Sequence, residues 1–184
     1  MAENHTWKLD ASDGTLTLHT GVTGRAARMG HRLTIAMQSW QIGVDWKGDD
    51  PVSAQLIVDI DSLQVIGGEG GMTPLSGPEK GVARANGLKT LDAKRFPQVN
   101  FRTEQITKTP DGYRMHGPLE IHGTTRPIDV DLALSADGDT WKMSAEAEVK
   151  QTDFGIKPYS MALGSMKVAD AVRVSFAAQH TVGR

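Results

Sequence analysis

The chain has 184 residues, 39% of them hydrophobic and 23% charged, an ordinary globular composition that at this length fits a single domain. Its net charge of −2 gives no electrostatic case for nucleic acid or an anionic membrane as partner. The absence of cysteine excludes a disulfide framework, a thiolate nucleophile and a Cys-ligated zinc.

Residues 1–10 show no basic stretch followed by an apolar run, and nowhere does the chain approach the ~18 uninterrupted apolar residues of a membrane helix. No integral membrane segment is read, and a cytoplasmic location is expected. Residues 7–10 open a short strand, residues 10–14 read as a turn, and residues 15–20 alternate with Leu16 and Leu18 on one face. Residues 21–30 carry Arg25 and Arg28 with little apolar content. Residues 32–46 read as one long strand in two phases, with Leu33, Ile35 and Met37 on one parity and Trp40, Ile42, Val44 and Trp46 on the other. A change of parity within one strand takes an extra residue, so a β-bulge is expected between Gln38 and Trp40. After a turn at residues 47–51, Val52, Ala54, Leu56, Val58 and Ile60 form the next apolar face.

Gly-Gly-Glu-Gly-Gly at residues 67–71 begins a long irregular connection, which shares only its glycine content with a phosphate loop. Residues 79–94 form the helical region, expected to break near Gly87, with Val82, Ala85, Leu88 and Leu91 every three positions and Phe96-Pro97 ending it. Alternating strands resume at Val99 and Phe101, at Tyr113 to Ile121, at Ile128 to Leu134, at Trp141 to Val149 and at Val172 to Ala178. Hairpin turns are expected at Asp111-Gly112 and residues 137–139, with a tight reversal over residues 123–127. Residues 149–170 gather Phe154, Ile156, Tyr159, Met161, Leu163, Met166 and Val168 into one connection. Each large apolar side chain left in water would forfeit roughly 1.5–3 kcal/mol, so this segment reads as a lid, or a structural plug, folded over something apolar. The pattern gives an all-β fold: an antiparallel β-barrel of about eight strands with a short helical insertion.

Three stretches carry a family resemblance. They are residues 151–160 (Gln-Thr-Asp-Phe-Gly-Ile-Lys-Pro-Tyr-Ser) with Gly-Ser-Met-Lys-Val-Ala-Asp at 164–170, residues 91–101, and residues 117–127. With Gly30-His31 and Asp61-Ser-Leu63 they resemble the YceI-like family of lipocalin-like, polyisoprenoid-binding proteins, over nearly the whole chain. The resemblance implies a lipocalin-like barrel that binds a long apolar molecule, such as a polyisoprenoid, an isoprenoid quinone or a fatty acid derivative, and that forms a homodimer. Two departures bear on the cavity. Thr90-Leu91 stands where much of the family has two aromatics, and the common Arg before Asp-Phe-Gly is absent.

The residues expected to meet the ligand are His31, Met37, Trp40, Leu91, Phe96, Met115, Trp141, Met143, Phe154, Tyr159, Met161, Met166 and Phe176. Methionine adapts to flexible apolar ligands and also fills ordinary cores. Tyr159 can lay its ring on apolar surface while its hydroxyl meets a polar head. His31 can place an imidazole at the barrel mouth or serve as a structural hydrogen bond. No catalytic residue, cofactor or metal ligand is assigned. There is no Gly-x-Ser-x-Gly, Gly164-Ser165 has no neighbouring base, and Asp59 and Asp61 read as a solvated strand edge instead of an acid pair. His116 and His122 share a solvated face with Arg114 and Glu120. Three functions compete: an apolar-ligand carrier, an enzyme that uses the barrel as a reaction chamber with His31 as its base or acid, and an interaction module with a filled interior. The resemblance and the lid composition favour the carrier.

Overall fold

The protein is described by a computed structural model that covers residues 3–183. A curled twelve-stranded antiparallel sheet carries most of the chain, and its strands fall into eight lanes. Four lanes are each broken in two: β1 (Asn4–Asp10) with β2 (Gly14–His19), β4 (His31–Met37) with β5 (Trp40–Lys47), β6 (Asp50–Asp59) with β7 (Leu63–Gly70), and β8 (Gln98–Thr103) with β9 (Gln105–Lys108). The other four are single: β10 (Gly112–Ile121), β11 (Thr124–Asp137), β12 (Thr140–Lys150) and β15 (Ala171–Thr181). Three short strands, β3 (Val22–Thr23), β13 (Ser160–Met161) and β14 (Met166–Val168), form a separate small sheet, and one α-helix, α1 (Gly77–Thr90), lies between β7 and β8.

The hydrogen-bonded order of the large sheet runs from β1 to β7 and is open, because β1 and β7 do not pair. The circuit is completed covalently where β4 runs into β5. Residues 38 and 39 turn a corner there, with the Gln38 N–H donating to Ser62 O (3.3 Å) and the Asp59 N–H donating to Ser39 O (3.0 Å). The bulge expected between Gln38 and Trp40 is therefore a corner between two strands. Met37 and Trp40 are both buried, as the parity reading requires, but three neighbouring lanes bend together there instead of one strand kinking. Bulges do occur elsewhere. The register skips Ile66 opposite Thr34 and Ile35, and Val52 opposite Asp45 and Trp46, and both skipped side chains are exposed. Val52 thus leaves the apolar face assigned to it, and Pro51 is buried in its stead.

Other expectations shift for physical reasons. Residues 67–70 are strand, because β4 supplies backbone partners along their whole length, which outweighs glycine's poor preference for strand. The helix spans Gly77–Thr90 and continues unbroken through Gly87. A reciprocal capping box starts it: the Glu79 N–H donates to Ser76 Oγ (3.3 Å) and the Ser76 N–H donates to the Glu79 carboxylate (2.7 Å). Its end is a Schellman-type turn, with the Ala93 N–H donating to Leu88 O, the Asp92 N–H donating to Lys89 O, and Asp92 at φ 48° where glycine is usual. The β10–β11 reversal sits at His122-Gly123, both at positive φ, and Pro127 lies inside β11 opposite Pro118. His122 is consequently a turn residue against the Phe96 ring, with centroids 4.9 Å apart.

The two sheet edges diverge at opposite ends of the barrel, and each gap is filled. Beside β7 lies α1, where Arg84 Nε donates to Leu63 O (2.8 Å) and Nη2 to Asp61 O (2.6 Å). Beside β1 lies an aromatic cluster: Trp7 stands 4.5 Å from both Trp46 and His180 and 5.9 Å from Trp141, ring centroid to ring centroid. The aromatic end is plugged by side chains. The α1 end is where the interior opens.

Candidate functional site: an apolar cavity beneath the helix and the lid

Strand alternation puts one set of side chains inside, and there they leave a cavity of about 840 Å³. Leu16, Ile35, Met37, Val58, Leu119 and Met143 form its buried depth. Its roof has two parts. One is α1, which contributes Val82, Ala83, Asn86, Gly87, Thr90 and then Leu91 at its C-cap. The other is the connection from β12 to β15, which contributes Gln151, Ile156, Tyr159, Met161, Met166 and Val168.

That connection covers the cavity as expected, and it is more ordered than a loop. β14 pairs with β13 on one side and β3 on the other, the Ala169 N–H donates to Gly21 O (2.9 Å), and the Ala26 N–H donates to Ser165 O (2.8 Å). Its base is pinned by Asp170, whose carboxylate accepts from the Thr152 N–H (2.8 Å) and hydroxyl (2.7 Å). Those two bonds, the hydroxyl's the larger, hold the Asp170 carboxyl below the usual range. Gly30 lets the lid settle, since a methyl there would stand 2.8 Å from Met166 Sδ. At the lid's tip, Ala162, Leu163 and Gly164 take left-handed backbone in succession, and Leu163 is fully exposed.

His31 sits at the mouth, lining the cavity. Its Nε2 is 2.7 Å from Thr73 O, so the proton on Nε2 donates to that carbonyl. The ring also lies against Gly71, where an added Cβ would come within 2.5 Å of Nε2. This bond ties the β7–α1 connection to the start of β4. Nearby, Glu79 is held below the ordinary carboxylate range first by the Ser76 backbone N–H and then by its hydroxyl. It stands ionised at the helix N-terminus.

Of the residues expected to meet a ligand, His31, Met37, Leu91, Met115, Met143, Tyr159, Met161, Met166 and Phe176 line this one cavity. The other four stand elsewhere. Trp40 is buried with its ring edge-on to Phe176 at 5.6 Å. Phe96 packs on the His122 turn, Trp141 belongs to the aromatic plug, and Phe154 is buried in a second cluster with Phe101, Leu119 and Ile156. The cavity lining also includes Asn86, Met29 and Met72, which the sequence does not single out, with Val82, legible only as part of the helix stripe, and Thr90, legible only as a departure from the family pattern. A three-residue recurrence gives a helix its apolar stripe without saying that the stripe roofs a cavity.

The carboxylates do not pair. Asp59 accepts from Ser39 Oγ (2.6 Å) and Gln98 Nε2 (3.0 Å), which lower its pKa in that order, whereas Asp61 faces Arg84. His116 is exposed and bonds Asp129 at 2.6 Å. Among the described residues no three His, Cys, Asp or Glu side chains come together as metal ligands.

A family model described as a YceI-like domain matches residues 7–180. UPF0312 proteins of Yersinia pestis (strain Pestoides F) and Yersinia enterocolitica are 32% and 31% identical over 76 and 72 residues, or 38% and 36% of this chain. These matches span 40% and 38% of those relatives' lengths. Burkholderia cenocepacia BcnA superposes with a TM-score of 0.70 at 19% identity, covering 94% of this chain and 99% of BcnA. The Campylobacter jejuni YCEI protein does so at 0.61 and 14%, covering 82% of this chain and 85% of its own.

Proposed function

The chain belongs to the YceI-like family, and from that premise we propose that it binds and carries a long apolar molecule, such as a polyisoprenoid, an isoprenoid quinone or another lipid, inside the barrel. One observation carries the reading: the apolar cavity of about 840 Å³ roofed by α1 and the lid. That volume falls within the range of about 300–1,000 Å³ typical of ligand pockets. Burial at roughly 25 cal/mol per Å² lets an apolar tail bind without any charged group. In this proposal Met37, Leu91, Met115, Met143 and Phe176 hold the tail, while His31, Tyr159, Met161 and Met166 meet the head at the mouth. Trp40 backs the lining through Phe176 and Phe154 backs it through Phe101 and Leu119, whereas Trp141 belongs to the plug at the far end and Phe96 to the His122 turn. A homodimer in the cytoplasm completes the proposal; light scattering and cell fractionation check those two parts.

Native mass spectrometry of freshly purified protein, followed by solvent extraction, is expected to recover an isoprenoid, quinone or lipid unchanged. Tyr159→Ala is expected to speed release of that molecule, read from its dissociation rate. If no apolar molecule co-purifies and none binds on titration, carriage is excluded in favour of an interaction module. A chemically altered product made by wild type and lost in His31→Ala would make the barrel a reaction chamber.

A further inference from the structure

The mouth of the cavity is surrounded by large apolar side chains that the fold leaves in water. Met29, Met72, Val82 and Met161 each line the cavity and are each among the exposed large hydrophobics, with Met72 78% and Val82 61% exposed. They come from four separate segments: the turn before β4, the connection after β7, α1 and the lid. Leu163 joins them at the tip of the lid, held out by a left-handed backbone that leucine rarely adopts. The lid here is one layer thick, because Met161, Lys167 and Val168 line both the cavity and the recess on its outer side.

The segments that supply this rim carry charge mostly of one sign. Residues 24–30, 72–90 and 157–168 contain seven Lys and Arg and a single carboxylate, Glu79, in a chain whose net charge is −2. Arg84 is paired with Asp61, whereas Arg25, Arg28, Lys80, Lys89, Lys157 and Lys167 have no ion-pair partner among the described residues. The small net charge therefore conceals a cationic mouth and an acidic remainder.

We propose that this face docks on an anionic lipid surface, with the apolar rim entering the acyl boundary and the cations meeting headgroup phosphates, so that the cavity opens directly onto the bilayer. Exposed apolar groups ringed by Lys and Arg match an interface that is apolar within and negative at its surface. A second copy of the chain fits less well. A two-fold contact sets a patch against itself, and here Arg25, Arg28, Lys157 and Lys167 would face like charge. The purpose of docking rests on the carrier reading: an apolar molecule could pass between bilayer and barrel without crossing water.

Co-sedimentation with phosphatidylglycerol-containing vesicles, beside vesicles of phosphatidylcholine alone, tests the docking without any cavity ligand. Docking and carriage can then fail separately. The wild-type chain is expected to bind the anionic vesicles, and to release them as salt shortens the screening length from about 10 Å to about 3 Å. Arg25→Glu with Arg28→Glu, and separately Leu163→Asn, are expected to weaken binding at least about tenfold, equivalent to about 1.4 kcal/mol. None of these residues lines the cavity, and Asn tolerates left-handed backbone, so the barrel and its titration with apolar ligand should be retained. Absence of vesicle binding, or binding that these variants leave unchanged, overturns the proposal. So does a dimer that the same variants dissociate in a protein that ignores vesicles, which would assign the face to a second copy.

Discussion

At the scale of single residues, the most informative positions are those where the fold leaves a side chain no alternative. The Thr103 hydroxyl, buried where β8 bends into β9, donates to His116 O (2.6 Å) and accepts from the Gln105 N–H (3.0 Å). Across from it, a Cβ on Gly117 would meet Arg102 O at 2.0 Å, so only glycine allows that approach. Neither role can be read from sequence, since both depend on a partner strand. His180 is similar. The two-residue period says only which way it points, whereas its contact with Trp7 is tertiary. Burial in the aromatic plug lowers its pKa below the ordinary 6.5, with the Asp13 charge opposing and His5 adding to the effect. The unfolded chain then takes up a proton more readily than the folded one. The stabilisation is complete above pH 6.5 and is lost as the pH falls from there through the folded value. Thermal midpoints measured across that window are expected to drop further for wild type than for His180→Phe, which keeps a ring against Trp7 without a titrating group.

At the scale of elements, the helix and the lid show what periodicity can and cannot say. α1 has no fully buried residue, and its place over the barrel depends on Leu75, Ala83, Leu88 and Leu91 packing on the main core and on Arg84 reaching the backbone of residues 61 and 63. It starts two residues before the expected position, where Gly77 and Pro78 look like loop although Ser76 and Glu79 carry the capping-box spacing. Pro78 fits there, since the first turn of a helix needs no backbone donor from it. Its end was overextended because Asp92 does the work usually done by glycine. Ser76→Ala is expected to lower the stability by about 1 kcal/mol in chemical denaturation, as loss of such a cap ordinarily does. Seven apolar residues in one connection point to a cover, although one of them, Leu163, stands fully exposed, and to that extent the lid was legible from its composition. Its small sheet was not, because β3 lies well over a hundred residues earlier in the chain and two or three residues carry too little alternation to announce a strand.

At the scale of the whole molecule, most strands were legible because a barrel with a solvated outside imposes strict alternation, as at Trp141, Met143, Ala145, Ala147 and Val149. The corner at residues 38 and 39 was not, since a bulge and a bend both reverse parity. Family membership adds what alternation cannot, namely which kind of barrel these strands build. The circuit also has a consequence in time. The lane next to β2 is β15, with residues 173–178 against residues 14–19, so β2 leaves a ribosome long before the strand it must pair with. Such distant pairing slows folding, and until it forms the β2 and β12 edges and the apolar inner wall stand open to other chains. A chain stopped after Asp170 is expected to aggregate where the full chain refolds, as followed by turbidity after dilution from denaturant. During synthesis, then, the sheet from β2 to β12 stays unclosed until β15 emerges, with its apolar inner wall unsealed for that interval.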